Sequence, residues 1–206
     1  MPEVLQVVPA IVGQVPGRAA QMIPQALSNC LFAAMRLADA VPEVLEALPA
    51  LVKEVPGKVE VMDSQDMANS LEALVVLEER LPIVELPGIA AAVAVQLKRL
   101  LPEVRGMEFA LDVPMVVWAC TKTGTCDALL LRAVAARLKP KTLESLGPWG
   151  LCSLAWAYRT LDEEGAFTDL LERLESEIAR RGLREEEVLA ERRSLNTRAV
   201  QYDSRP

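Results

Sequence analysis

The stretch "PEVLQVVPAIVGQVPG" fills positions 2–17 and "PEVLEALPALVKEVPG" fills positions 42–57, identical at ten of sixteen places and forty residues apart. A chain that repeats itself at this period is built from copies of one supersecondary unit, each hiding its apolar side only against the next. The register continues past the quoted text. Met22 falls opposite Met62 and Gln25 opposite Gln65, and "QALSNCLFAAMRL" (25–37) aligns with "QDMANSLEALVVL" (65–77). Two looser copies follow, "LDVPMVVWACTKT" (111–123) and "WGLCSLAWAYRTL" (149–161). Phe32, Glu72, Trp118 and Trp156 then share one column, Leu27, Met67, Val113 and Leu151 another, at spacings of 40, 46 and 38 residues. Those periods suit helical hairpins, and the apolar residues do not alternate as propeller strands would require.

Each unit divides into two helices. The first carries Leu27, Leu31 and Ala34, or Met67, Leu71 and Leu74, at helical spacing. The second opens at Pro42, where a proline costs no hydrogen bond, and "VPG" at 55–57 closes it. Later second helices are expected over Ile89–Leu100, Ala128–Leu138 and Phe167–Arg180, the last ending at Gly182. Pro9 and Pro49 predict a kink or a break within the second helices that contain them. The predicted fold is all-α, an α-α superhelix (solenoid) of about four helical-hairpin repeats over 1–190. A partial repeat at 1–20 precedes repeats at about 21–60, 61–105, 106–145 and 146–190, and a tail occupies 191–206. Because 2–17 match a second helix, the first unit begins without its first helix. Its apolar face is expected to lie open, to be covered by further chain or by a partner.

Composition narrows the chemistry. The chain has no histidine, which removes His-based nucleophile systems, His acid–base work and the usual His-containing zinc sites. Cys30, Cys120, Cys126 and Cys152 form no CxxC pair and read as buried single thiols. Aromatic residues make up only 4% of the chain, so the Ala, Val and Leu surplus favours closely packed helices over a sandwich. A net charge of −7 repels phosphates over the surface as a whole and favours protein partners. The longest apolar run, Leu86–Leu97, stops at Lys98 and Arg99, short of the ~20 residues of a membrane span. The N-terminus lacks the basic residues of a signal or transit peptide.

The texts "PQALSNCLFAAMRL", "SQDMANSLEALVVL" and "LGPWGLCSLAWAYRTL" resemble the octotricopeptide repeat and the related repeats that precede RAP domains in organellar proteins. The resemblance covers residues 2 to about 182; Glu72 in the tryptophan column and Val113-Pro114-Met115 depart from the family pattern. The resemblance implies a chloroplast or mitochondrial location. It also implies either RNA binding or a structural role in an organellar assembly.

Several side chains are candidates for partner or RNA contact. Gln25, Asn29, Gln65 and Asn69 recur one turn apart at the start of first helices, where they present amides to a partner or satisfy local helix-start groups. Lys98 and Arg99 cluster with Arg105, and Arg132, Arg137 and Lys139 with Lys141, as a possible basic strip. Trp118 and Trp156 read as filling between units rather than as base-stacking platforms. "TKTGTC" (121–126) lacks the glycine frame of a phosphate loop and reads as a turn. The acidic runs Glu78-Glu79, 162–164 and 185–187 read as solvated surface. The expected function is a non-enzymatic scaffold or linker binding other proteins of an organellar complex, without cofactor or metal. The alternative is a sequence-selective organellar RNA-binding factor for transcript processing, stability or translation.

Overall fold

The computed structural model describes residues 3–162 and 164–190, and all regular structure among them is helical. In chain order the helices are α1 (Glu3–Val12), α2 (Pro24–Leu37), α3 (Leu48–Glu54), α4 (Ser64–Leu77) and α5 (Leu86–Leu100). They continue with α6 (Gly106–Lys122), α7 (Ala128–Ala135), α8 (Pro140–Ser145), α9 (Pro148–Leu161) and α10 (Thr168–Arg180). Single 3-10 turns at Ala19–Gln21 and Val59–Val61 lie forty residues apart, one repeat period. Residues 185–190 are helical, whereas Glu163 and the tail expected over 191–206 lie outside the described residues. No helix among those described is long and apolar enough to cross a membrane.

Local chemistry sets the helix ends. Pro24 and Pro148 occupy first-turn positions of α2 and α9, where a missing N–H leaves no bond unmade. Asp63 caps α4 by accepting from the Asp66 N–H at 2.8 Å, and Asp127 caps α7 by accepting from the Leu130 N–H at 2.7 Å. Helix α6 ends in the "TKTGTC" segment. Gly124 takes φ 67°, its N–H bonds to the Thr121 carbonyl at 3.2 Å, and the Thr125 N–H bonds to the Cys120 carbonyl at 2.8 Å. That pair of bonds closes a helix through a left-handed glycine, so the segment is the expected turn.

The first helices of the units pack in sequence order, α2 on α4, α4 on α6 and α6 on α9. The second helices lie against them: α3 on α2, α5 on α4 and α6, α7 on α6, and α10 on α9. Leu27, Met67, Val113 and Leu151 are each 0% exposed, so the column aligned in sequence is one column of the core. Leu31, Leu71, Val117 and Ala155, four residues further along each helix, are equally buried. Burying a Leu or Met side chain stabilises by roughly 2–3 kcal/mol, and these columns join every neighbouring pair of first helices.

A second correspondence fixes how adjacent helices approach. Asp66, Asp112 and Gly150 hold the same position in α4, α6 and α9. Asp66 accepts from the Ser28 hydroxyl of α2 at 2.8 Å, and Asp112 accepts from the Ser64 hydroxyl of α4 at 2.7 Å. At Gly150 a Cβ atom would stand 3.3 Å from both the Ala110 carbonyl oxygen and Pro114 Cγ of α6. Pro114 has no N–H to give that Ala110 carbonyl, and glycine is the residue that lets a neighbouring backbone come this close.

The second helix of the unit at 42–57 breaks near Pro49 as expected, into a 3-10 turn (Pro42–Ala47) and α3, which has Pro49 in its first turn. By contrast α1 runs through Pro9 without a break. Two later elements differ from expectation. The helix expected over Ala128–Leu138 stops at Ala135, and the chain turns into α8 at Pro140, whose Leu143 is buried. Helix α5 starts three residues before the expected Ile89, at Leu86, with Pro87 in its first turn.

Candidate partner-binding surface

The amide-bearing candidates sit on the face of the first helices turned away from the second helices. Gln25, Asn29, Phe32 and Arg36 follow one another at i, i+4, i+7 and i+11, which places them on one side of α2. Gln65 and Asn69 take the same positions on α4 beside it. Gln25, Asn29 and Gln65 are exposed and Asn69 half-buried, and none bonds through its side chain to another described residue. Further along, the same positions carry Leu111 and Trp149. Trp149 meets Trp118 edge-on, ring centroids 5.9 Å apart, and the Lys122 ammonium lies 5.2 Å over the Trp156 ring. All three tryptophans of the chain are therefore half-buried on one face, linking α6 to α9. Trp149 and Lys122 were missed in sequence, although Trp149 shares its column with Gln25 and Gln65.

The basic candidates have different fates. Lys98 pairs with Asp127 at 2.6 Å, the same carboxylate that caps α7. Burial acts to raise the Asp127 pKa, but the Lys98 ammonium and the Leu130 N–H outweigh it and hold it below the usual range. Arg99 donates to the Glu60 carbonyl at 3.0 Å, alongside Gln96 at 2.9 Å. Arg137 donates through one guanidinium nitrogen to the Leu101 carbonyl and through the other to that of Val104 at 2.8 Å, and lies 5.3 Å over the Phe109 ring. Arg132 and Lys139 are exposed.

These bonds recur along the chain. Lys58 donates to the Ala20 carbonyl at 3.3 Å, and Arg181 donates to the carbonyls of Leu143, Glu144 and Leu146 at 3.0, 3.1 and 2.7 Å. Ala20, Glu60 and Glu144 each lie four residues before the residue that opens a first helix. The cations of one unit thus donate to carbonyls at the end of the preceding unit, close to where the next first helix opens.

Two cavities flank the face. One of about 360 Å³ lies between the C-terminal ends of α2, α4 and α6, lined by Trp118, Lys122, Glu78, Glu79 and an Arg80–Asp39 ion pair. The other, about 340 Å³, opens near the starts of α4 and α6, with Asp63, Glu103, Glu108 and Asp112 around the 70%-exposed Met107 and 57%-exposed Leu111. Among the described residues no group of His, Cys, Asp or Glu is placed to hold a metal ion. Burial pushes the Cys120 thiol up to about 12 and the Cys126 and Cys152 thiols up to about 11, which keeps them protonated and poorly nucleophilic. Comparison with protein-family models, with curated proteins and with solved structures gives no match.

Proposed function

We propose that this chain is a helical-repeat solenoid of about four hairpin units that acts as a non-enzymatic scaffold, laying its helical surface on other proteins of an organellar complex. The observation that carries this reading is the engagement of its cations. Lys98, Arg99 and Arg137, three members of the candidate basic strip, are held by the protein's own carbonyls and carboxylates. An RNA-reading surface needs such cations free to neutralise phosphates. The exposed apolar side chains Met107 and Leu111 sit among carboxylates, a surface suited to protein and unsuited to a polyanion. The organellar location rests on the family resemblance alone.

The test is retention of a pool of single-stranded RNA on a filter, run beside gentle co-purification from the native organelle. The expected result is no retention at physiological salt, and migration with a large assembly that is lost with Met107→Glu plus Leu111→Glu. Retention with a steep salt dependence, abolished by Arg132→Glu plus Lys139→Glu, would overturn it. A second reading, an organellar RNA-binding factor, draws on one observation of its own. The amides of Gln25, Asn29 and Gln65 stand exposed in register on neighbouring helices, on the face that carries the tryptophans and Lys122.

A further inference from the structure

The two ends of the row of first helices are finished differently. Beyond α9 the chain turns into the charged helical segment 185–190, and Arg159 of α9 pairs with Glu185 at 3.0 Å and Glu175 at 2.9 Å. Such a polar outer layer is what keeps a stacked helical array from adding further copies. At the α2 end the surface is apolar. A trough of about 190 Å³ runs between α1 and α2, with Ile11, Val15, Cys30, Ala33, Ala34 and Leu37 in its walls. Beside it Val7 and Ile11, one turn apart on α1, stand 53% and 58% exposed.

We propose that this end is a homotypic interface: two copies of the chain meet there about a two-fold axis, the Val7–Ile11 ridge of each seated over Ala33 in the trough of the other. Three observations select a second copy as the occupant. The first is shape. Ridge and trough lie side by side on one surface, so a two-fold operation mates each with its complement twice, as a self-complementary interface requires. The second is charge. Between Val4 and Met35 the only charged residue is Arg18, in a chain whose residues are 25% charged and whose net charge is −7. None of the residues lining the trough is charged, and the exposed Glu43 and Glu46 of the 3-10 turn packed against α1 stand outside that lining, so repulsion between two acidic copies is weak here. The third is continuity. Ser28, which bonds to Asp66, marks the side of α2 that faces α4, and Ala33 lies about 140° round the helix from it, so a helix seated there extends the row α2–α4–α6–α9. A face two short helices wide and about 20 Å long offers on the order of 400 Å² per copy, below the size of a stable interface, so the contact is a weak and reversible one.

The contact is separate from the surface carrying Met107 and Leu111, so its failure leaves the scaffold reading standing, and the reverse. The experiment is sedimentation velocity on residues 1–206 from low to high micromolar concentration. The expected result is a concentration-dependent shift from 22.5 kDa to about twice that mass. Ile11→Glu and Ala33→Glu, both at exposed positions, should hold the chain at monomer mass with an unchanged helical circular-dichroism spectrum and melting temperature. Met107→Glu should leave the shift intact. Ala33→Cys treated with a short bis-maleimide should give a covalent dimer. A chain that stays monomeric throughout overturns the proposal, and so does a dimer that survives Ile11→Glu and Ala33→Glu but dissolves with Met107→Glu.

Discussion

Replacing Arg137 by alanine should destabilise the protein rather than weaken any ligand contact. The guanidinium donates to the Leu101 and Val104 carbonyls, which follow the end of α5 where no helical N–H reaches them. Hydrogen bonds from a charged donor contribute about 1.5–3 kcal/mol each when buried. Arg137 is only half-buried, so the two together are discounted to roughly 2–3 kcal/mol. Its position over Phe109 adds about 0.5–1 kcal/mol. The total, about 3 kcal/mol, corresponds to a drop in melting temperature of roughly 6–12 °C for a chain of this length. Arg132→Ala on the same stretch is the control, since that side chain is exposed and should cost less than about 0.5 kcal/mol. Arg137→Lys keeps the charge but loses the planar fork that reaches two carbonyls, and should recover less than half. Urea unfolding followed by circular dichroism measures all three, and hydrogen exchange at residues 101–105 reports the loosened connection directly. If Arg137→Ala and Arg132→Ala behave alike, both near wild type, the reading of these cations as internal ties is wrong.

Two further outcomes follow from the helix contacts. Gly150→Val should destabilise by about 1–3 kcal/mol in urea titrations, because even a Cβ stands 3.3 Å from a backbone oxygen and a proline ring that have little room to yield; wild-type stability would show that α9 can retreat from α6 at no cost. Burial, partly offset by the serine hydroxyls, raises the pKa values of Asp66 and Asp112. A carboxyl whose folded pKa lies above its unfolded value of about 3.9 loses stability as pH climbs from the second value through the first. Asp66→Asn and Asp112→Asn keep an acceptor for the serine, so they should gain on wild type as the pH climbs above the unfolded value. A wild type that instead gains on the variants over that range would contradict the burial account.

Much of the helical architecture was legible because repetition aligned it. The column through Leu27 could be read off four stretches of text, and it proved to be core. The turn at Gly124 and the helix end at Gly182 were equally plain, since each is fixed by the conformational freedom of one glycine. The candidate surface was less so. Arg99, Arg137 and Lys98 cluster in sequence like a basic strip, yet two of them bond to backbone carbonyls, and every residue but none in particular carries those. An acceptor that leaves no mark in the sequence cannot be anticipated from it. The ridge at Val7 and Ile11 was legible only as half of an idea. The match of residues 2–17 to a second helix raised the expectation of an open apolar face, and only the structure picks out Val7 and Ile11 as exposed on α1.

The third copy shows why the repeat text is loose where the packing is not. "VPM" at 113–115 departs from the pattern of the first two copies and puts a proline in the middle of α6. Mid-helix proline removes one hydrogen bond and leaves a carbonyl behind, a defect of about 3 kcal/mol in an isolated helix. Here α6 continues through it, and the neighbour opposite is altered to match. Where α4 and α6 place an aspartate that reaches back to a serine, α9 places Gly150, which brings its backbone onto the Ala110 carbonyl and the Pro114 ring. One position is thus filled three times: by a carboxylate with Ser28, by a carboxylate with Ser64, and by glycine against Ala110 and Pro114. What has to be satisfied at that position is the contact between adjacent units, so the partners are constrained as pairs and each copy taken singly is free to drift. Substituting Asp112 into the place of Gly150 in its neighbour would therefore fail, because the serine it needs is absent and the proline it would meet is not.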